Sequence, residues 1–458
     1  MSNLYASTLN KEIDAIQNFL PQLSSRLSWS KEEIKAEQQR ALIALLAYAK
    51  ENSPYYASKF SHIEPSRFTL SDLAKLPVMT KKEAMTHWDE IITDRKLTLE
   101  RARQFLHNQI EPELLDNAYH FTATGGSSGV RGVFGWSIEE FILFVTAFFR
   151  FQYRDEFSSQ KDNSRLLMAA ITAAKPVHLS RFVFTIPLIP QMKVLLLPAT
   201  MPITNMVEQL NIQKPSHLIG YTTEIYRLAQ EACRGKLKIF PRRVSVNSEP
   251  LFPDMLKTIK KAWNVPVTNM WGSSDAGPHA QSCDHTNHLH LNEDLIIFEA
   301  VDENNQPVLD GQEATKVLVT NLFHKSMPLF RYEIDDRITI LADSCSCGAP
   351  FRLVQSIKGR NDDSFSYANG ICVIPEVFEN LIFPEEQVEE YQVFQTIQGA
   401  EIWLTARKNF ATEKMQKDLV AAYRQVGIEN PLIEIKIVPQ LKRHPETGKL
   451  KRFVKLES

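Results

Sequence analysis

Glycine is scarce in this sequence, with 16 residues among 458. Cysteine is scarcer still. The five that occur are unevenly spaced, which excludes the dense disulfide framework of a small secreted fold. Long apolar runs are missing: the most apolar helix candidate, 141–149, is far too short to span a bilayer, so no membrane partner is expected. The N-terminus lacks the basic segment and apolar stretch of a signal peptide, and the expected location is cytoplasmic. Neither sign of charge dominates. The 52 Lys and Arg against 54 Asp and Glu leave a net charge of −2, which argues against a general nucleic-acid binder. No G-x-x-x-x-G-K-[ST] phosphate loop occurs. Hydrophobic residues at 43% and charged residues at 23% are ordinary globular values and exclude wholesale disorder.

What is present is an α/β pattern. Ser30 with Glu33, and Thr80 with Glu83, have capping-box spacing. Leu42, Leu45, Leu46 and Ala49 recur at helical spacing, so the chain starts helically over about 1–95. From about residue 165 to 320, β-rich runs (VFTIPLI, KVLLL, TKVLVTNL) alternate with helical patterns such as TEIYRLAQEA. That alternation predicts parallel sheets covered by helices. Over the last hundred or so residues, EIWLTAR and LIEIKIV alternate strictly around a helix whose Met415, Leu419, Ala422 and Val426 share a face, with Gly427 as its C-cap. The expected division is a large domain over 1–361 and a small α+β domain over 362–458.

Five of the few glycines fall at 125, 126, 129, 132 and 135, inside FTATGGSSGVRGVFGW. Gly125, Ser127 and Gly129 fit the G-x-S-x-G pattern of serine hydrolases. That chemistry requires a strand, a sharp turn and an immediate helix. Here β-prone Val133, Phe134 and Trp136 follow, and the next helix start waits for Ser137 with Glu140, so the segment reads strand–loop–strand. The loop still suits phosphate, because glycines let backbone N–H groups converge on an anion while Thr124, Ser127 and Ser128 add hydroxyls. A plain glycine-rich hairpin fits the loop equally well, and other motifs must decide.

Those motifs occur in a recognisable order. The chain resembles the phenylacetate–CoA ligase family of the adenylate-forming (ANL) superfamily. TGGSSGVRG (124–132) looks like the superfamily's phosphate loop. NSEP (247–250) resembles the adenine-side segment, and WGSSDAG (271–277) resembles Y-G-x-T-E-x-G. MPLFRYEIDDRI (327–338), IKGRNDD (357–363) and PETGKLKR (445–452) complete the set, while LLAYAKENSPYYASKF and DLAKLPVMTKKE resemble the family's helical N-terminus.

The resemblance implies one site for ATP and a carboxylic acid. Nucleotide contacts fall on Thr124, Gly125, Gly126, Ser127, Ser128, Gly129, Arg131, Ser248, Glu249, Pro250, Trp271, Ser274, Asp336 and Arg360. Asp336 is suited to accept from both ribose hydroxyls, the Arg360 fork to reach ribose or phosphate oxygens, and Trp271 to stack on adenine. Asp275 takes the acidic position that holds Mg²⁺ between ATP phosphates. Lys449 is the candidate to bridge the substrate carboxylate and the α-phosphate. Asp362 occupies the hinge of a mobile small domain. Three departures stand out: the usual phosphate-loop lysine is missing, with Arg131 nearby; Asp275 is one methylene shorter than the usual glutamate; and Gly125 removes a hydroxyl.

Relatives carry a C-x₆-H segment and C-x-C-G, which here select Cys283, His290, Cys345 and Cys347 as a closed Cys₃His structural zinc site. His285 and His288 are alternative ligands. Cys233 and Cys372 are expected to be inert core residues. Phe182, Phe184 and Tyr221 are candidates for the acyl pocket. An aryl or arylacetic acid is the substrate that the resemblance implies. The acceptor is CoA, an acyl carrier protein's phosphopantetheine thiol, or an amine. A nucleotide-binding scaffold with degraded chemistry is the alternative that the three departures motivate.

Overall fold

The computed structural model describes residues 3–124, 131–158, 165–355, 357, 363–382, 384–385, 387–407 and 410–456. The chain divides into two compact units, Met1–Ile357 and Lys358–Ser458. No helix among the described residues is long and apolar enough to cross a membrane.

The first unit opens with α1 (Asn3–Ser25) and α2 (Lys31–Asn52). Ser30 and Glu33 form the expected reciprocal capping box, and Leu42, Leu45, Leu46 and Ala49 are all buried. Four short helices follow: α3 (Pro54–Lys59), α4 (Lys81–Thr86), α5 (Trp88–Ile91) and α6 (Leu99–Asn108). At α4 only half of the expected box forms. Thr80 accepts from Glu83 N, but the Glu83 carboxylate accepts the Tyr55 hydroxyl at 2.6 Å instead. Next, β1 (Tyr119–Ala123) and β2 (Val133–Ser137) pair antiparallel as the strand–loop–strand reading expected. Ser137 and Glu140 then box the start of α7 (Ile138–Gln152).

A β/α alternation builds the centre: β3 (Leu166–Thr172), α8 (Ser180–Val183), β4 (Met192–Pro198), α9 (Ile203–Gln213), β5 (His217–Tyr221), α10 (Thr222–Cys233), β6 (Arg243–Asn247), α11 (Pro253–Trp263) and β7 (Val267–Ser273). These strands lie parallel in the order β4-β3-β5-β6-β7. Every residue of β5 and β6 is buried, as a strand covered on both faces requires. The chain then changes direction. It runs through β8 (Gly277–Cys283), β9 (Thr286–Leu291), β10 (Ile296–Val301), β11 (Glu313–Ala314), β12 (Lys316–Asn321), β13 (Tyr332–Ile334), β14 (Ile338–Leu341) and β15 (Leu353–Val354). Of these, β8, β9, β15, β14 and β11 extend the central sheet antiparallel from β7, giving ten strands among the described residues, while β10, β12 and β13 form a separate sheet.

The second unit holds β16 (Phe365–Ser366), β17 (Cys372–Val373), α12 (Glu376–Ile382), β18 (Val388–Thr396), β19 (Gly399–Ala406), α13 (Glu413–Gln425), β20 (Leu432–Ile437) and β21 (Phe453–Val454). Its main sheet has the order β20-β19-β18-β21, and α13 is the crossover between the parallel pair β19 and β20.

Three expectations are corrected. VFTIPLI (183–189) is no strand: it holds the end of α8 and a series of turns. Pro187 has no N–H for a ladder, and its carbonyl accepts Gln17 Nε2 from α1 at 3.0 Å. Val183, Phe184, Ile186 and Leu188 of that run are buried all the same. On α13 the buried face is Met415, Leu419 and Tyr423; Ala422 is only half-buried and Val426 lies beyond the helix, exposed. Gly427, at φ +105°, does end it. Cys233 and Cys372 are exposed rather than core, because one ends α10 and the other opens the short strand β17.

At Gly399, where β19 begins beside β20, a Cβ would lie 2.1 Å from the carbonyl oxygen of Leu432. Backbone must move to admit it. Gly399→Ala should therefore destabilise the second unit by about 1–3 kcal/mol, the usual overpacking range, and lower its thermal midpoint. An unchanged midpoint would show that the two strands can separate freely at that point.

Candidate functional site

Ligands of open α/β sheets bind at the carboxyl ends of the parallel strands, where loops gather while the strands hold them in place. Four such ends matter here. Tyr221 closes β5; Ser248, Glu249 and Pro250 follow β6; Ser274 and Asp275 follow β7. The loop after β3 reaches the hairpin, where Val177 O accepts Ala123 N at 2.8 Å. Thr124 is half-buried, its Oγ1 accepting Gly132 N at 2.8 Å; Arg131 is exposed. Gly125, Gly126, Ser127, Ser128 and Gly129 lie outside the described residues, as do Arg360 and Asp362.

Asp275 is the centre of charge. Its carboxylate is buried, yet Oδ2 lies 3.2 Å from Lys81 Nζ and accepts the Tyr332 hydroxyl at 2.8 Å. Burial pushes such a carboxyl upward. Here the Lys81 ammonium, with hydrogen bonds from Ser273 and Tyr332, outweighs burial and holds it well below the usual carboxylate range. The reach of Lys81 is built by the backbone. Met79 N donates to Arg331 O and Glu333 N donates to Met79 O, at 3.1 and 2.9 Å. The Arg331 guanidinium also donates to the carbonyls of Ala74 and Leu76. The segment before α4 is thus pinned beside Tyr332, and Lys81, the first residue of α4, points at Asp275. Sequence reading missed Lys81. It lay in the quoted TKKE, where cap spacing drew attention to Thr80 and Glu83 instead.

Trp271 is buried, and its indole N–H donates to Asp336 Oδ2 at 2.7 Å. The two residues are therefore brought together, with one Asp336 oxygen on the indole. Gly272 is required beside them, since a Cβ there would meet the Phe148 ring at 2.3 Å. His279, fully buried, faces Trp271 and takes Ser273 Oγ against Nε2 at 3.0 Å. After β6, Ser248 adopts φ +65°, and Glu249 Oε2 accepts both the backbone N–H and the hydroxyl of Thr223. Phe182, Phe184 and Tyr221 are all buried, and Tyr221 shares a 2.6 Å hydrogen bond with Ser180 of α8. In the second unit, Lys449 is half-buried on a turn in which Gly448 takes φ +72° and His444 N donates to Lys449 O at 2.9 Å.

The cysteine expectation meets a built cluster. Cys283 ends β8, His290 lies on β9, and Cys345 and Cys347 lie in the turn before β15, which pairs with β9 at His290. The four ligand atoms lie within 4.8 Å of one another. Cys283 Sγ is 3.7 Å from Cys345 Sγ, and Cys347 Sγ is 3.6 Å from His290 Nε2. A tetrahedral zinc with Zn–S near 2.3 Å and Zn–N near 2.05 Å separates sulfurs by about 3.8 Å and sulfur from nitrogen by about 3.6 Å, so the donor set fits this ion. His285 is exposed and His288 half-buried, and neither joins the cluster. For Mg²⁺, Asp275 offers one carboxylate, enough for an ion usually held by one or two carboxylates plus substrate phosphates.

Comparisons with known proteins bear on the fold. No protein-family model matches the chain. Protein CapK of Staphylococcus aureus is 24% identical over 389 residues, which cover 81% of this chain and 79% of the relative. Phenylacetate-coenzyme A ligase of Thermus thermophilus is 27% identical over 159 residues, 34% of this chain and 35% of the relative. A crystal structure of 2-hydroxyisobutyryl-CoA ligase, in the postadenylation state with R3-HIB-AMP, matches with a TM-score of 0.73 at 17% identity, covering 94% of this chain and 91% of that one. The fold is that of the adenylate-forming CoA ligases, and the resemblance read from the six motifs is borne out.

Two tests follow from the geometry. Metal analysis of the untagged protein should find about one zinc per chain, as one four-ligand site requires, and Cys347→Ser should lower both metal content and thermal midpoint; a metal-free protein of full stability would remove the zinc site. The second concerns acid. Burial lowers the His279 pKa to about 4 from its ordinary 6.5, so the folded state resists a proton that the unfolded chain accepts. Stability should then fall as pH drops from about 6.5 toward 4, and His279→Gln should remove about one proton from that slope in urea titrations at stepped pH.

Proposed function

We propose that the protein activates a carboxylic acid with ATP and passes the acyl group to a thiol. In the first step a carboxylate oxygen attacks the α-phosphorus and the bond to pyrophosphate breaks, leaving acyl-AMP. In the second, a thiol sulfur attacks the acyl carbonyl and AMP departs. The observation that carries the reading is the buried Asp275 with its own cation, set at the carboxyl end of β7 beside the Trp271–Asp336 pair.

Anionic acid and anionic phosphates repel one another, so the first step calls for fixed positive charge. Lys81 supplies it from the N-terminal helices, in a chain whose phosphate loop lacks the usual lysine. Lys449 supplies it from the second unit, which turns about a hinge at Asp362. Mg²⁺, when bound at Asp275, screens the β- and γ-phosphates. Asp336 orients the ribose, with Arg360 as a second nucleotide contact, and the loop over 124–131 wraps the phosphates. Cys283, His290, Cys345 and Cys347 would hold zinc with four protein donors, and a zinc so held would serve the fold. The acceptor proposed is CoA or a carrier-protein phosphopantetheine, and the acid an aryl or arylacetic acid.

Carboxylate-dependent ATP–pyrophosphate exchange over an acid panel, with and without CoA, tests the activity; cleavage to ADP and phosphate would overturn it. Lys449→Ala should lower exchange by about 10²-fold, or ~2.7 kcal/mol, and spare thiol transfer from supplied acyl-AMP. Exposed Lys451 is the control, because neighbouring Arg452 packs over the Tyr391 ring. Lys81→Ala should raise the KM for MgATP. Equal small losses in the Lys449 and Lys451 variants would return the tail to surface charge.

A further inference from the structure

The aromatic core behind the hairpin holds one ionisable pair that the proposed chemistry does not use. Glu12, on α1, is 1% exposed, and His120, on β1, is fully buried. His120 Nε2 and Glu12 Oε1 are 3.0 Å apart. The imidazole stacks on Phe141 at 3.9 Å between centroids and meets Phe182 edge-on at 5.2 Å. Two atoms of the pair are left over. Glu12 Oε2 and His120 Nδ1 are both buried and have no hydrogen-bond partner among the described residues. A fold with no use for these atoms would do better with apolar side chains, since an unmade buried hydrogen bond is costly while replacing both partners is nearly neutral.

The pair's position says what it is for. Phe182, an acyl-pocket candidate, lies on α8 with Ser180, which holds the hydroxyl of Tyr221, a second candidate. His120 thus packs against one of the acyl-pocket candidates, on the strand that leads to Thr124. We infer that Glu12 and His120 determine acid specificity, and that the acid carries a hydroxyl or amino substituent that donates a hydrogen bond to the atoms this pair leaves open. The inference rests on the acid-activating reading and narrows its substrate class. The His120 ring nitrogen takes whichever role its tautomer allows, whereas the Glu12 oxygen favours a donor. An acid without such a group leaves buried polar atoms unpaired, the form of discrimination that binding energy achieves best.

The test compares matched acids with and without the substituent, such as hydroxy- or amino-substituted and unsubstituted benzoic and phenylacetic acids. Wild-type exchange should favour the substituted member of at least one pair by about 10²-fold in kcat/KM. Glu12→Gln, which keeps the shape, should lower that preference at least tenfold through KM. The double variant Glu12→Leu with His120→Phe should abolish it while still using the unsubstituted acid. Thermal shift with each acid alone gives a readout independent of turnover: the substituted acid should stabilise wild type, and the double variant should lose that effect. Exchange without preference, or a preference that survives in both variants, overturns the inference and leaves acid activation standing. A selective thermal shift with no exchange on any acid overturns acid activation and leaves the pair as a binding element. Neither exchange nor a selective shift overturns both.

Discussion

A carboxylate buried beside a lysine and a tyrosine is the constraint around which the first unit is arranged. Without its partners, Asp275 would be an ion taken out of water with nothing to offset the loss, a penalty of several kcal/mol that no nearby apolar contact could repay. Its partners come from opposite ends of the unit: Lys81 from α4, Tyr332 from β13. Bringing them together requires the segment before α4 to run alongside Arg331–Glu333, and Arg331 holds it there from a left-handed backbone position, φ +46°. The N-terminal helices are where they are because that carboxylate needs a cation.

The cysteine cluster answers a different demand. β8 begins at Gly277, beside the Asp275 loop, and ends at Cys283, roughly 20 Å away at strand rise. A closed set of four donors at that far end joins β8, β9 and the turn before β15. Those strands form the antiparallel half of the sheet, which is not laced by β/α crossovers as the parallel half is. With the proposed zinc between them, three sulfurs and a nitrogen there would hold in place what connectivity alone would not. The charged end and the cysteine end of one strand serve separate purposes.

Much of this was legible in the sequence because spacing is local. The hairpin, the reciprocal boxes at Ser30 and Ser137, the β/α alternation and the strand–helix–strand run of the second unit all followed from periodicity and caps. VFTIPLI failed because apolar content does not separate a strand from a buried irregular run, and the Pro187 in its middle was the overlooked signal. The cysteine set was recoverable because the family that the chain resembles carries C-x-C-G and C-x₆-H, although only the pairing of β9 with β15 shows how they meet. Lys81 and Glu12 were not legible. Each acts on a partner more than a hundred residues away, and a lysine or glutamate on a helix looks like surface until the fold buries it.

The bridge between Met79 and Tyr332 makes the first ninety residues part of the site rather than a preface to it. A fragment cut to begin at the β1–β2 hairpin would keep the ten described strands of the central sheet and all six motifs, yet take from Asp275 the ammonium of Lys81. A shortening that looks harmless on a motif map would remove charge balance, not merely bulk.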